Sequence, residues 1–505
     1  MSFNQYRTNP GQAVSNFKGR TDTPKAWPGT AVSTWLNGGL FGGSSPGWIA
    51  VPTASNFNGF LGSHTLDSDN NLYFAIHQGD TANSDGPVGV ILSDGTIGNA
   101  NDWKYIDAKN SRPATTQGIC INGSKMFAIV QVANVSNIQA TFTCGFTPGT
   151  LGPDYNKSWY ENNTRDFYAG NPSGSIQAFD ADSNIVVGYG LNSYYNRFHV
   201  YVSLLSTSTG VVQVLNGGTA DTILFESDSG SNSVYPVVSR NSKVGDYIVV
   251  QVRYQADRVG WLAQNSTNSA AYRQYYTDSG GTLNYRYGGT SADTQGTNHF
   301  YMTTHNGAFA QLSRVQLSNG SLVWNRKIQA TTSPSSITTC SQPVVDSSGN
   351  IYFAWAQYDN NVVVDTCYRI HWVKYDSSGN RQQIDGKDSR CLFVVPENGQ
   401  PWQSLNLSLD STEKFLYITA YNNAATPIVA KIPLDGSGTQ AGPYTVGGKN
   451  FYYRDDVGTT DSAGTLTAAG TDGSYSTNTE TTQSDTLYNA TTQISGAAVA
   501  SIEVA

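Results

Sequence analysis

The phrase VVDSSGNIYFAWAQ at residues 344–357 is followed by a second YDSSGN at 375–380 and has a near-copy, LDSDNNLYFAIHQ, at 66–78. Further versions are CINGSKMFAIVQ, FDADSNIVVGYG, SRNSKVGDYIVVQVR, GTNHFYMTTHN and SLDSTEKFLYITAY, each a polar turn followed by a short aromatic or β-branched run. A phrase that recurs along a chain constrains its fold more than any local propensity, because every copy must find the same environment. One aromatic or β-branched position from each copy gives Tyr73, Phe127, Val186, Tyr247, Tyr301, Tyr352 and Tyr417, at intervals between 51 and 65 residues. That spacing predicts a ring of repeated sheets, a seven-bladed β-propeller.

The interior of a unit has the pattern of an antiparallel meander. In the sixth, QPVV reads as a first strand, IYFAWAQ as a second, YRIHWVKY as an alternating third and RQQID as a fourth, with DSSGN turns between. The third-to-fourth hairpin recurs as ILSDGTI, VQLSNGSLVW, KYDSSGNRQ and IPLDGSGT, where Gly and Asn supply the positive φ of tight turns. One four-stranded unit cannot bury both its faces, so neighbours must stack and the ring must close. WIAVPTA at 48–54 is expected to supply an outer strand to the seventh unit, near GPYTVGG at 442–448.

Composition agrees with an all-β fold. Only 13% of the 505 residues are charged, and Gly, Ser, Thr, Asn and 30 Tyr take their place. A net charge of −8 disfavours a phosphate-binding surface, so nucleic acid is not an expected partner. The start lacks a basic and then apolar leader, and no apolar run reaches 18 residues, so neither standard secretion nor membrane insertion is expected. Cys120, Cys144, Cys340, Cys367 and Cys391 are scattered without CxxC spacing and read as small buried apolar residues rather than a disulfide framework or zinc site.

Three regions follow: a docking arm at 1–47, the propeller at 48–445 and a Ser/Thr-rich extended segment at 446–505. The arm carries Trp27, Trp35, Leu40 and Phe41, too apolar for a free tail. The C-terminal composition alone predicts disorder, since it offers little apolar surface to offset ordering entropy; an ordered segment there would have to be held by other chains or by the ring itself.

TAVSTWLNGGLFGG, the DSSGNIYFA and SNGSLVWNRKI repeats, and the Ser/Thr-rich end with DSAGTLTAAG together resemble propeller-repeat structural proteins of tailed bacteriophages, especially those of marine cyanobacteria. The blade phrases alone are also similar to bacterial outer-surface and quinoprotein-type propellers. The phage resemblance implies a virion structural protein without catalysis, assembled in the host cytoplasm into the tail, baseplate, fibre or capsid. It implies partners among other virion proteins, reached through both termini in an oligomeric context, and carries over no site residue. Alternatives are a host-surface glycan-binding adhesin, a capsid decoration protein and a carbohydrate-active propeller enzyme.

Other motifs were weighed against these readings. Gly43, Ser45 and Gly47 spell G-x-S-x-G but lack the strand-to-helix context of a nucleophile elbow. Asp278, Ser279, Gly280 and Gly281 look like a serine-protease segment, yet no upstream His segment matches, and a turn is the plainer reading. Tyr and Arg cluster in YRQYY, NYRYGG and FYYRDD, the residue types a sialidase needs, although spacing does not make them converge. Asp67, Asp69 and Asn71, and again Asp180, Asp182 and Asn184, alternate as oxygen ligands of a calcium loop do, without its Gly and distal Glu. Calcium is the one cofactor these residues suggest. His77, His299, His305 and His371 show no paired ligand spacing. Tyr272, Tyr275, Tyr276, Tyr285 and Tyr287, in an insert-like stretch around 260–290, are the candidate exposed binding face for sugar or protein.

Overall fold

A computed structural model describes residues 47–53, 61–76, 86–95, 104–106, 114–122, 125–132, 140–147, 152–159, 174–180, 184–192, 198–206, 212–213, 222–226, 242–254, 258–267, 271–279, 284–330, 335–359, 367–384, 386–395, 401–422, 426–434, 441–446, 449–455, 459–470 and 498–504. All regular structure among them is β, and the strands group into seven sheets whose pairings are antiparallel. Each sheet begins as a meander in chain order, with first strands Leu61–Leu66, Ala114–Asn122, Gly174–Asp180, Ser242–Val244, Asn284–Ala292, Ser335–Cys340 and Trp402–Leu409. The repeat positions Tyr73, Phe127, Val186, Tyr247, Tyr301, Tyr352 and Tyr417 all fall in the second strand of a different sheet.

First strands pack on one another from the first sheet to the third and from the fourth to the seventh, and the seventh packs on the first. Between the third and fourth sheets the contact runs through Thr222–Glu226 and Arg258–Asn265. Sheets stacked face to face in chain order, with the last returning to the first, form a β-propeller.

The strand Ile351–Asp359 shows why the repeat phrase is almost wholly apolar. Ile351, Phe353 and Trp355 enter a cluster shared with the fifth sheet, while Tyr352, Ala354 and Ala356 enter one shared with the seventh. A strand covered on both faces loses the polar half of its alternation. Polar residues survive at the turns. Asp346 accepts the Ser348 and Asn350 backbone N–H groups at 3.0 and 2.8 Å on Oδ1, and Asn350 Nδ2 at 2.8 Å on Oδ2. Asp376 repeats this with Ser378 and Asn380, and Asp67 with Asp69 and Asn71. The residue three beyond each Asp has positive φ: Gly349 at 82°, Gly379 at 80° and Asn70 at 62°. DSSGN and DSDNN are therefore one turn device, used between first and second strands and again between third and fourth.

The chain departs from a ring of four-stranded units at its edges. Gly47–Thr53 does add to the seventh sheet, but its partners are Thr426–Pro433 on one side and Ala498–Val504 on the other. Ala441–Val446, expected beside it, pairs instead with Lys449–Asp455 on the rim of the sixth sheet. In that sheet RQQID meets the third strand over Arg381–Gln382, and the chain resumes as Arg390–Val395 against the same third strand. The C-terminal segment then runs backwards round the rim. Lys449–Asp455 extends the sixth sheet, Thr459–Ala463 the fifth and Leu466–Gly470 the fourth. The division at 446 thus separates strands that belong to the same sheet.

Candidate functional site

The tyrosine stretch chosen from sequence forms the strand Ala271–Asp278, the fourth of its sheet, and the C-terminal segment covers its outer edge. Tyr275 and Tyr276 are buried, at 1% and 0% exposure, so they do not present the open face expected of them. Tyr276 donates to the Gly320 carbonyl of the next sheet at 2.7 Å and accepts Trp261 Nε1 at 3.1 Å. Burial raises its phenol pKa well above the usual range, holding it neutral. Tyr272 is half-buried against Tyr247, with ring centroids 5.2 Å apart. Tyr285 and Tyr287 lie on the strand Asn284–Ala292, and their side chains are outside the described residues. Trp27, Trp35, Leu40, Phe41 and Ser45 lie outside them altogether.

What gathers at this edge is a polar latch. Asp278 Oδ2 accepts Asn306 Nδ2 at 2.9 Å and Gln311 Nε2 at 2.8 Å, and its Oδ1 accepts the hydroxyl of Thr465 from the C-terminal segment. Gln311 Oε1 accepts Asn325 Nδ2 at 3.0 Å, and the Asn325 carbonyl accepts Gly464 N at 2.9 Å. Asp278 and Ser279 of the protease-like motif thus serve the seam, Ser279 N donating to the Thr465 carbonyl at 3.4 Å. One step further back, Tyr375 accepts Arg381 Nη1 at 3.1 Å.

The calcium reading does not fit Asp67, Asp69 and Asn71. Both Asp67 oxygens accept N–H or O–H donors, including Tyr73 at 3.2 Å, and Asn71 Oδ1 accepts Ser93 N at 3.0 Å. A cation site needs lone pairs converging on a common point, whereas these meet hydrogen-bond donors. Asp182 lies outside the described residues, as do the side chains of Asp180 and Asn184.

The histidines whose side chains are described lie on three sheets, His64 on the first, His299 and His305 on the fifth and His371 on the sixth. His64 sits between Thr419 and Ser408 of the seventh sheet, 2.7 Å from each, and His371 stacks on Trp355. Burial lowers the His299 pKa, with Arg314 adding to the effect. His305 is fully buried, neither ring nitrogen has a hydrogen-bond partner among the described residues, and burial lowers its pKa to about 4. Cys120, Cys340, Cys367 and Cys391 are buried, as small apolar residues would be, and form no disulfide among the described residues. Tyr452 and Tyr453 stack on Phe393 and Trp372 in the sixth sheet, apart from the Tyr–Arg stretch of the fourth.

Turn-to-turn bonds join successive sheets. Thr294 and Gln295 of the fifth donate to the Asp346 and Ser347 carbonyls of the sixth, both at 2.9 Å. Ser347 donates through N and Oγ to Glu413 of the seventh, at 2.6 and 2.7 Å. Ser411 N donates to Asn70 Oδ1 of the first at 2.8 Å.

No family model and no curated protein matches the sequence. Solved structures similar to it include the Dos1 propeller, at 10% identity over 81% of this chain and 94% of that one, TM-score 0.43. The propeller domain of the Trilobed protease from Pyrococcus furiosus, described as having an open velcro topology, is 9% identical over 74% and 97%, TM-score 0.37. Trypanosoma rangeli sialidase is 9% identical over 74% and 55%, TM-score 0.38.

Proposed function

We propose that the seven sheets are the blades of one ring and that the protein is a non-enzymatic structural component of a tailed-phage particle, a rigid disc at the tail, baseplate or fibre. The phage part of this reading comes from the repeat phrases and the Ser/Thr-rich end. The geometric observation that supports it is the stapling of neighbouring sheets at their turns, through Gln295–Ser347, Ser347–Glu413 and Ser411–Asn70. A turn tied to the next sheet holds its loops in fixed relative positions, as a presenting or load-bearing part requires.

Mass spectrometry of purified particles, followed by cross-linking, tests the assignment. The chain is expected among the virion proteins, with residues 1–47 linked to a tail or capsid partner. Its absence from particles would overturn the reading. Retention on host envelope polysaccharide without release of reducing ends would move it to an adhesin, and release of reducing ends to an enzyme.

A further inference from the structure

We infer that the rim of the fourth and fifth sheets is a sequence-reading acceptor site for an extended peptide carrying Gly-Thr-Leu, filled in this chain by its own residues 464–466. The inference rests on the fold and stands whether or not the particle assignment holds.

Strand addition alone is indifferent to sequence, since it uses backbone groups; specificity comes from the side chains that meet the added strand. Three positions are read here. Gly464 crosses directly over Asn325, and a Cβ there would fall within the Asn325 amide. That amide cannot swing away without losing its bonds to Gln311 and Ser313, at 3.0 and 3.2 Å. Thr465 donates its hydroxyl to Asp278, whose other oxygen is already held by Asn306 and Gln311. Leu466 is 6% exposed and enters the core cluster of Val259, Trp261 and Tyr276. The strands Thr459–Ala463 and Leu466–Gly470 extend the fit along both sheet edges, and only Gly464 and Thr465 bridge them.

The pattern combines an obligatory glycine, a hydroxyl and an apolar anchor, each matched by acceptor residues fixed from behind. By contrast, Asp461, Ser462 and Ala463 are exposed, which is why the pattern begins at Gly464.

The test uses the full-length chain carrying Gly464→Val, or separately Leu466→Asp, to unseat its own segment. A fluorescein-labelled peptide of residues 457–470 is titrated in and followed by anisotropy. Hydrogen exchange is expected to show lost protection over 459–470 in both variants, with the sixth-sheet strands unchanged. The labelled peptide is expected to bind both variants saturably. Binding should weaken at least tenfold when the peptide carries Gly464→Val or Leu466→Asp, and likewise when Asp278→Ala is added to the acceptor chain. Undiminished protection in Gly464→Val, absence of saturable binding to either variant, or binding that ignores the peptide sequence would each overturn the inference.

Discussion

Gly379 carries two constraints that a sequence shows as one letter. Its φ of 80° strains any residue with a Cβ, and an added Cβ would lie 2.8 Å from the Trp324 ring of the preceding sheet. Gly386 has a similar φ of 72° but open space around it, so it isolates the backbone cost. Gly386→Ala is expected to cost about 1 kcal/mol and Gly379→Ala about 2–4 kcal/mol, since overpacking adds to strain. Urea unfolding of the two variants measures the difference, and equal losses would dismiss the Trp324 contact. His305 gives a pH dependence of definite sign. Burial brings its folded pKa to about 4, below the ordinary histidine value of 6.5, so the unfolded chain takes up a proton first as pH falls. Stability is therefore full above about pH 6.5 and declines towards pH 4, by about 2 kcal/mol between pH 7.5 and 5. His305→Gln should remove that share of the decline. Comparing unfolding midpoints of both chains at the two pH values checks it, and identical pH slopes would show that His305 is not responsible.

At the scale of elements, strands of different sheets differ in what holds them. Every residue of Phe415–Asn422 is buried, whereas Thr459–Ala463 is mostly exposed and relies on its backbone ladder and the latch. Hydrogen exchange should therefore be slow in Phe415–Asn422 and at least tenfold faster in Thr459–Ala463, because local opening there exposes little apolar surface. Equal protection would mean that the rim strand opens only with the whole ring. The second strands were legible because a two-faced core demands a continuous apolar run, as in IYFAWAQ, between Asp-capped turns. The rim strands were not. TTDSAGTLTAAG has a single large apolar residue, Leu466, and no apolar–polar alternation, and its strand state comes from the open edges that the fourth and fifth sheets offer. The same edge explains Tyr275 and Tyr276: the partner expected for them in another molecule is this chain's own C-terminal segment, seated beside them.

At the scale of the whole molecule, Gly47–Thr53 joins the start of the described chain to its last sheet. Trp48 is 1% exposed, packs edge-on against Tyr417 at 5.9 Å and donates to the Ser93 carbonyl of the first sheet at 3.3 Å. Lys431, whose pKa burial lowers, reaches the same carbonyl at 2.8 Å. Trp48→Ala is expected to cost about 3–5 kcal/mol, combining lost burial with a cavity at the seam between the seventh and first sheets. Deleting residues 1–53 should lower the melting temperature further, by removing the strand between Thr426–Pro433 and Ala498–Val504. An unchanged melting temperature would show that the ring does not depend on this joint.

The sequence by itself determined what is local: the Asp-capped turns, the glycines of positive φ, the seven second strands and the apolar character of strands covered on both faces. Each follows from interactions within a few residues or from the repetition of one phrase. Only the tertiary structure decided which edge each leftover strand joins, because hydrogen-bonding edges are alike in backbone chemistry and a sequence does not mark which one lies within reach. WIAVPTA carried the signature of an added strand, but its place beside Thr426–Pro433 followed from how far the chain had turned by then. The reversed course of residues 449–470 round the rim, and the acceptor site it reveals, came from the same long-range geometry.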